Sequence, residues 1–99
     1  MSNWYGKGRK NDQKKLMWGL LPWAELSEVV RVLTFGAKKY APGNWMKVKD
    51  GERRYFDAAL RHISAIGNGD REDSETGLNH YAHAICSLLF AFWHSRRKP

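Results

Sequence analysis

The sequence contains one cysteine and three prolines in 99 residues. A single cysteine, Cys86, cannot form a disulfide within the chain, and the paired Cys motifs of structural zinc sites are absent. Cys86 lies in an apolar stretch, so we expect a buried thiol and a reducing compartment. No apolar run reaches the roughly 18 residues that a membrane-spanning helix needs, and the polar N-terminus does not resemble a signal peptide. We therefore expect a soluble, cytoplasmic protein with no membrane partner.

Acidic residues are also scarce, since 10 Asp and Glu stand against 17 Lys and Arg and give a formal net charge of +7. Such an excess indicates an anionic partner, either nucleic acid or a smaller phosphate compound. The excess is concentrated at residues 7–15 and 96–98, where solvated tails that aid solubility explain it equally well. A nucleic-acid binder would align its cations along one face, so we favour a nucleotide. DNA binding by the basic ends stays a third hypothesis, which predicts an affinity that falls steeply with salt.

Three segments have the apolar spacing of amphipathic helices, at about residues 23–39, 53–66 and 74–94. A chain of 99 residues makes one all-α domain with a modest core, which we expect oligomerisation to complete. We divide the chain into a basic arm over residues 1–15, a single helical domain over 16–95 and a basic tail over 96–99. The residues expected to face inward are Leu26, Val29, Val30, Leu33 and Ala37; Tyr55, Phe56, Ala59, Leu60, Ile63 and Ile66; and Leu78, Tyr81, Ala82, Ile85, Leu88, Leu89 and Phe92.

The third helix is preceded by four acidic residues, Asp70, Glu72, Asp73 and Glu75. Asp73 or Ser74 is a natural N-cap, and Glu75 would then complement the helix dipole in the first turn. Helix capping does not require four carboxylates, which repel one another unless a cation lies between them. His80 and His83 follow three residues apart, on one face of the predicted helix. We therefore expect chemistry at this end of the third helix.

Glu25 and Glu28 are likewise three residues apart, in the first turns of the first helix. Two such carboxylates either share a cation or complement the helix dipole. Mostly oxygen donors with an occasional imidazole suit Mg²⁺ or Mn²⁺ better than structural zinc. His62 is also consistent with a hydrogen-bonded core residue. The candidate metal ligands of the chain are Glu25, Glu28, His62, Asp73, Glu75, His80 and His83.

The segment Tyr40-Ala41-Pro42-Gly43-Asn44-Trp45 has the composition of a turn. Asn44 could pair with a base edge and Trp45 could stack on its face, or Trp45 could simply plug the end of the bundle. In the second helix, Arg54, Asp57 and Arg61 share a side, and a local Asp57–Arg61 ion pair is the simplest account of them. A hard metal near lysines, arginines and an aromatic loop fits metal-assisted attack of water on a nucleoside triphosphate.

An ordered series of motifs extends this interpretation over residues 11 to about 92. It comprises Asn11-Asp12-Gln13-Lys14-Lys15-Leu16, Leu21-Pro22, Glu28-Val29, Thr34-Phe35-Gly36-Ala37-Lys38-Lys39-Tyr40, Asn44-Trp45, Leu60-Arg61-His62 and Asp73-Ser74-Glu75-Thr76-Gly77-Leu78-Asn79-His80-Tyr81-Ala82-His83-Ala84. The series resembles the phage dATP/dGTP diphosphohydrolase N-terminal domain family, which is related to MazG-like pyrophosphohydrolases.

The resemblance implies an oligomeric, all-α, MazG-like fold that hydrolyses dGTP or dATP to the monophosphate and pyrophosphate with Mg²⁺ or Mn²⁺. It implies that Glu28 and Glu75 are catalytic and that the metal ligands are Glu25, Glu28, Glu75, His80 and His83. The substrate-binding residues that it implies are Lys39, Asn44, Trp45, Arg61 and His62.

One departure from the MazG-like pattern leaves a second function open. Glu25 and Glu28 match the usual Glu-x-x-Glu, but Glu75 is followed by Leu78 where the second motif has Asp. A relative that kept the purine pocket and lost the metal would bind nucleotides without hydrolysing them. The alternative is therefore an oligomeric binding protein that sequesters a cyclic or signalling nucleotide in phage counter-defence.

Overall fold

A computed structural model describes residues 8–97 of the chain and contains three α-helices. These are α1 (Trp23–Lys39), α2 (Gly51–Gly67) and α3 (His80–Ser95), with short 3₁₀ turns at Trp18–Leu20 and Asn44–Lys47. Over residues 8–97 the only β pairing is an isolated bridge between Glu72 and Asn79. The prediction of an all-α bundle is confirmed. The proposed arm over 1–15 and the proposed tail over 96–99 lie partly outside the described residues. Trp4 and Tyr5 lie wholly outside them.

The first helix has the predicted bounds, because its ends are determined by local chemistry. Pro22 precedes it, Glu25 lies in its first turn, and Lys38 and Lys39 lie in its last turn, which complements the helix dipole at both ends. None of the described helices is long and apolar enough to cross a bilayer.

Helices α2 and α3 form a close antiparallel pair. His62 of α2 contacts His80 at the start of α3, whereas Gly51 at the start of α2 lies against His94 near the end of α3. A side chain at position 51 would collide with the His94 ring. The helix accordingly begins at Gly51, two residues before the predicted start at 53, and ends one residue after the predicted end at 66.

The predicted start of the third helix at residue 74 is wrong, because α3 begins at His80. Residues 73–78 form a closed loop in which Asp73 Oδ2 accepts the backbone N–H groups of Glu75 and Thr76. Gly77 adopts a left-handed φ of 71°, which ends any helical path at this point. The N-cap is Asn79, whose side chain accepts the Tyr81 N–H at 2.7 Å, and not Asp73 or Ser74. Glu75 therefore lies in the loop and not in a helical turn.

The core lies where α1 crosses α3. Val29, Ala82 and Cys86 are buried there, with Val32, Leu33 and Phe90 packed around them. Cys86 is 2% exposed, as predicted, and burial raises the pKa of its thiol to about 12. Ala59 of α2 and Ala84 and Ala91 of α3 are also buried, and such small residues allow close helix approach.

A second set of apolar residues, expected to face inward, is exposed. We define the apolar face as Phe56, Leu60 and Ile63 of α2 with Ile85, Leu88, Leu89 and Phe92 of α3, each between 41% and 60% exposed. Tyr81 and Val30 are exposed as well. At about 100° per residue, the α3 part of this face lies roughly 120° around the helix from the residues that α1 covers. On α2, Phe56, Leu60 and Ile63 share a helix face that differs from the face of Arg54 and Arg61, which line a pocket beside Tyr40 at the end of α1.

Candidate functional site

Two adjoining clefts lie between the end of α1, the Asn44–Lys47 turn and the α2–α3 pair. The first, here the aromatic cleft, has a volume of about 230 Å³ and extends from α1 to α3. Five of the predicted site residues line it: Lys39, Asn44, Trp45, Glu75 and His83. The structure therefore brings together residues that are up to 44 positions apart in the sequence (39 to 83).

The turn after α1 positions Asn44 and Trp45 at this cleft. Gly43 has a left-handed φ of 77°, and the Asn44 N–H donates to the Ala41 carbonyl. The Trp45 ring stacks on Phe90 at 4.2 Å between centroids and meets the edge of Trp93 at 5.1 Å. Trp45 thus packs onto α3, as the plug hypothesis expects, and also lines the cleft, as the pocket hypothesis expects.

An ion pair lies at the mouth of the aromatic cleft. Lys39 Nζ and Glu75 Oε2 are 2.6 Å apart, and this contact joins the end of α1 to the loop before α3. The hydrogen bond to Glu75 raises the pKa of Lys39, and both side chains remain substantially exposed. The cleft therefore presents one cation and one carboxylate that already interact with each other.

The second cleft, here the arginine cleft, has a volume of about 640 Å³ and shares Tyr40, Asn44 and Tyr55 with the first. It contains Arg61, which the sequence predicted, together with Arg53 and Arg54, which it did not. Arg54 and Arg61 are seven residues apart, which places both on one helix face, but this spacing does not show that the face lines a cleft.

The predicted Asp57–Arg61 ion pair is wrong. Asp57 Oδ2 instead lies 3.3 Å from Arg53 Nη1, and Arg53 Nε donates to Asp50 Oδ2 at 2.8 Å. The helix permits either pairing, since Asp57 is four residues from both Arg53 and Arg61, and the structure shows the pairing with Arg53.

A histidine–carboxylate cluster lies beside the aromatic cleft, where α2, α3 and the loop 73–78 meet. His62 Nδ1 and His80 Nδ1 are 2.9 Å apart, and His80 Nε2 is 3.2 Å from Asp70 Oδ2. One possible ligand atom from each of His62, Asp73 and His80 lies within 4.8 Å of the other two. His80 is only 6% exposed, so it cannot exchange these partners for bulk water.

His83 connects this cluster to the aromatic cleft. Its ring stacks on His62 at 4.6 Å between centroids, and its Nε2 is 2.7 Å from Thr76 Oγ1. Thr76 Oγ1 in turn lies 3.3 Å from Asp73 Oδ2. A continuous chain of polar contacts therefore runs from the cleft to the cluster.

The environment lowers the pKa of two histidines of this region, His62 and His83. Burial lowers the pKa of His62, and the neighbouring His83 and His80 lower it further. Burial also lowers the pKa of His83, against the opposing charge of Asp73. For Asp73, burial would raise the pKa, but the N–H groups of Thr76 and Glu75 and the charge of His83 outweigh it and lower the pKa. Metal ions bind histidine in its neutral form and carboxylates in their ionised form, and a lowered pKa favours both forms.

Glu25 and Glu28 lie apart from the cluster. Glu25 is exposed, and Glu28 Oε2 accepts from Arg31 Nε of the same helix at 2.9 Å. Between residues 8 and 97, His62, Asp73 and His80 form the one group of three or more His, Cys, Asp or Glu ligand atoms close enough to hold an ion. Asp70, which orients His80, was not proposed as a site residue, because only the folded structure places it against that ring.

The fold and the site define the chain as a small helical domain with a cationic, aromatic cleft and a histidine–carboxylate cluster. The model of the family described as dATP/dGTP diphosphohydrolase, N-terminal, matches residues 5–99, so the chain belongs to this family. It is 39% identical over 92 residues to a protein of Salmonella phage PMBT28 named dATP/dGTP diphosphohydrolase. The match covers 93% of this chain but 31% of the phage protein. No solved structure shows significant similarity to the chain.

Proposed function

We propose that this domain binds a purine deoxynucleoside triphosphate, dGTP or dATP, and hydrolyses it to the monophosphate and pyrophosphate. The observation that carries the proposal is the pair of adjoining clefts, one aromatic and one lined by three arginines. The name of the phage relative supports the same substrate class.

Each cleft suits one chemical part of the substrate, the phosphates or the base. Arg53, Arg54 and Arg61 offer guanidinium groups to the phosphates, since such groups bind phosphate oxygens in a bidentate manner. Asn44 and Trp45 line the aromatic cleft, where an amide can pair with a base edge and an indole can contact a ring. Asn44 lines both clefts, so a single nucleotide can occupy both.

Mg²⁺ or Mn²⁺ is the proposed cofactor, with Glu25, Glu28, Glu75, His80 and His83 as its proposed ligands. Glu75 and His83 share the aromatic cleft, whereas Glu28 pairs with Arg31 on α1. The two imidazoles among these five ligands fit Mn²⁺ better than Mg²⁺, which prefers oxygen ligands. The metal would neutralise phosphate charge when bound.

In the proposed reaction, Glu28 or Glu75 orients or deprotonates the attacking water. Lys39 or the arginines stabilise the charge that develops on the phosphates. His62 is proposed to contact the substrate from the cluster side, through the ring that stacks on His83.

The test is incubation with a panel of nucleotides, with and without Mn²⁺, followed by chromatography of the products. We expect dGTP and dATP to yield monophosphate and pyrophosphate. We expect Glu28→Gln to abolish this turnover while the fold survives, because the Glu28 side chain is about half exposed and is not part of the core.

Glu72→Gln is the matched control, because Glu72 is an exposed carboxylate outside the proposed site. Its turnover should equal that of the wild type. A Glu28→Gln variant as active as the wild type would show that the role assigned to Glu28 is wrong.

A second candidate is a non-catalytic, oligomeric protein that sequesters a cyclic or signalling nucleotide. The ion pairs of the two proposed catalytic carboxylates favour this candidate. Glu28 is paired with Arg31 and Glu75 with Lys39, so both carboxylates already have cationic partners. In the same panel a binder would return its ligand unchanged, whereas an enzyme would return monophosphate.

We further propose that the domain assembles as a homo-oligomer through the apolar face. Seven large apolar side chains of α2 and α3, each about half exposed, make up this face. Contiguous exposed apolar surface of this kind is typical of protein–protein interfaces.

A further inference from the structure

We propose that His62, Asp73 and His80 form a binding site for a divalent transition metal, of the two-histidine, one-carboxylate type. Such a site selects Co²⁺, Fe²⁺, Mn²⁺ or Zn²⁺ and discriminates against Mg²⁺. It shares His80 with the ligand set proposed above for Mg²⁺ or Mn²⁺, and it uses His62, proposed above as a substrate contact. It contains none of the three glutamates of that set, and it does not rest on nucleotide hydrolysis.

The distance between the two imidazoles supports this geometry. At metal–nitrogen bonds of about 2.1 Å, two ligands at right angles lie about 3.0 Å apart. The observed separation of His62 Nδ1 and His80 Nδ1 is 2.9 Å, which matches the spacing that two such ligands require. The same distance also permits a hydrogen bond, which is the competing explanation for this contact.

The outer contacts of the cluster have the arrangement found around metal-bound histidines. His80 directs Nε2 at the Asp70 carboxylate, which leaves Nδ1 as its acceptor atom when the ring is neutral. Metal-ligating histidines commonly donate their other ring N–H to a carboxylate, which fixes the tautomer. His62 must then carry its proton on Nε2 when a metal occupies the site, which is a change of tautomer and not of charge.

The third ligand is held on a closed loop. Asp73 Oδ2 accepts all three hydrogen bonds that secure the carboxylate, two from backbone N–H groups and one from the Thr76 hydroxyl. Oδ1 is outside these bonds and is available to a metal. One carboxylate oxygen of Asp73 lies within 4.8 Å of a ring nitrogen of each histidine. Three protein ligands leave the coordination sphere open, as in catalytic rather than structural sites.

The experiment is a titration of the metal-free full chain with Co²⁺, monitored by visible d–d absorption and by equilibrium dialysis, without nucleotide. We expect one Co²⁺ per chain, a spectrum distinct from that of aqueous Co²⁺, displacement by Zn²⁺, and no displacement by about a hundredfold excess of Mg²⁺. His62→Ala should weaken Co²⁺ binding at least about tenfold. Asp73→Asn should do the same, while its amide oxygen still accepts the loop N–H groups.

His94→Gln is the matched control, because His94 lies at the far end of α3 and contacts the Trp45 carbonyl. It should bind Co²⁺ as the wild type does, and circular dichroism should show all variants folded. An aqueous Co²⁺ spectrum at saturation, or wild-type affinity in folded His62→Ala and Asp73→Asn, would overturn the proposal and leave the His62–His80 contact as a hydrogen bond alone. Loss of binding in folded His94→Gln would also overturn it, since the ion would then lie elsewhere.

Discussion

The ion pair between Lys39 and Glu75 holds a cation and a carboxylate at the mouth of the aromatic cleft. Both side chains are largely exposed, so the pair contributes little to the free energy of unfolding. Replacing Glu75 by another anion beside Lys39 therefore costs little free energy. In the proposed function a nucleotide phosphate would compete with Glu75 for Lys39, and its binding would release the carboxylate beside His83.

At the residue scale we predict that Lys39→Met lowers the affinity for dGTP at least about tenfold, because a charge-assisted hydrogen bond contributes roughly 1.5–3 kcal/mol. Titration calorimetry at constant salt measures this change. Lys38→Met is the control, since Lys38 is an exposed neighbour that does not line either cleft. Equal losses in both variants would mean that general charge, and not the cleft, attracts the nucleotide.

At the element scale, the start of α3 depends on residues that compete as caps. Asp73 and Ser74 are good N-caps by residue type. The Asp73 side chain, however, accepts N–H groups within the loop 73–78, and Asn79 is the N-cap of α3. The competition is decided by the Asp73 N–H bond to the Leu78 carbonyl and by the left-handed Gly77, which close the loop. The loop places Glu75 at the aromatic cleft and Asp73 at the cluster.

We predict that Asn79→Ala lowers the free energy of unfolding by about 1 kcal/mol, because the Tyr81 N–H loses its side-chain acceptor. Urea denaturation followed by circular dichroism measures the loss. Asn79→Ser, which retains a capping oxygen, should stay close to the wild type. If the alanine variant were as stable as the wild type, Asn79 would not be the cap in solution.

At the scale of the whole molecule, the small size of the core and the presence of the apolar face have the same cause. The described helices bury Val29, Ala82 and Cys86 where α1 crosses α3, but α1 covers only one side of the α2–α3 pair. The other side carries the exposed leucines, isoleucines and phenylalanines defined above. A partner on that side would complete the burial that the amphipathic spacing of α2 and α3 predicts.

We therefore predict that Leu89→Glu reduces the mass measured by size-exclusion chromatography with light scattering to that of a single chain. Burying a glutamate in an apolar interface is strongly unfavourable, which is the reason for the expected dissociation. Val30→Glu is the control, because Val30 is a similarly exposed residue on α1, outside the apolar face. A wild-type chain that is monomeric at working concentration would contradict the proposal directly.

Part of the site could be predicted from the sequence. Lys39, Asn44, Trp45, Glu75 and His83 were proposed from residue chemistry and family resemblance, and they line one cleft. The metal role of Glu25 and Glu28 stays a prediction, since their side chains lie outside the cluster. Arg53 and Arg54 were missed because a charged residue on a helix surface has the same sequence pattern whether or not it faces a cleft.

The sequence by itself determined the features that depend on near neighbours. The bounds of α1, the turn at Pro42 and Gly43, the buried Cys86 and the all-α class follow from local propensity, capping and apolar spacing. Only the tertiary structure decided that His62 meets His80, that Asp70 orients His80, and that the residues of the apolar face of α2 and α3 are exposed. These contacts depend on the register and crossing of the helices, and so on packing between residues distant in the chain, to which local patterns are insensitive.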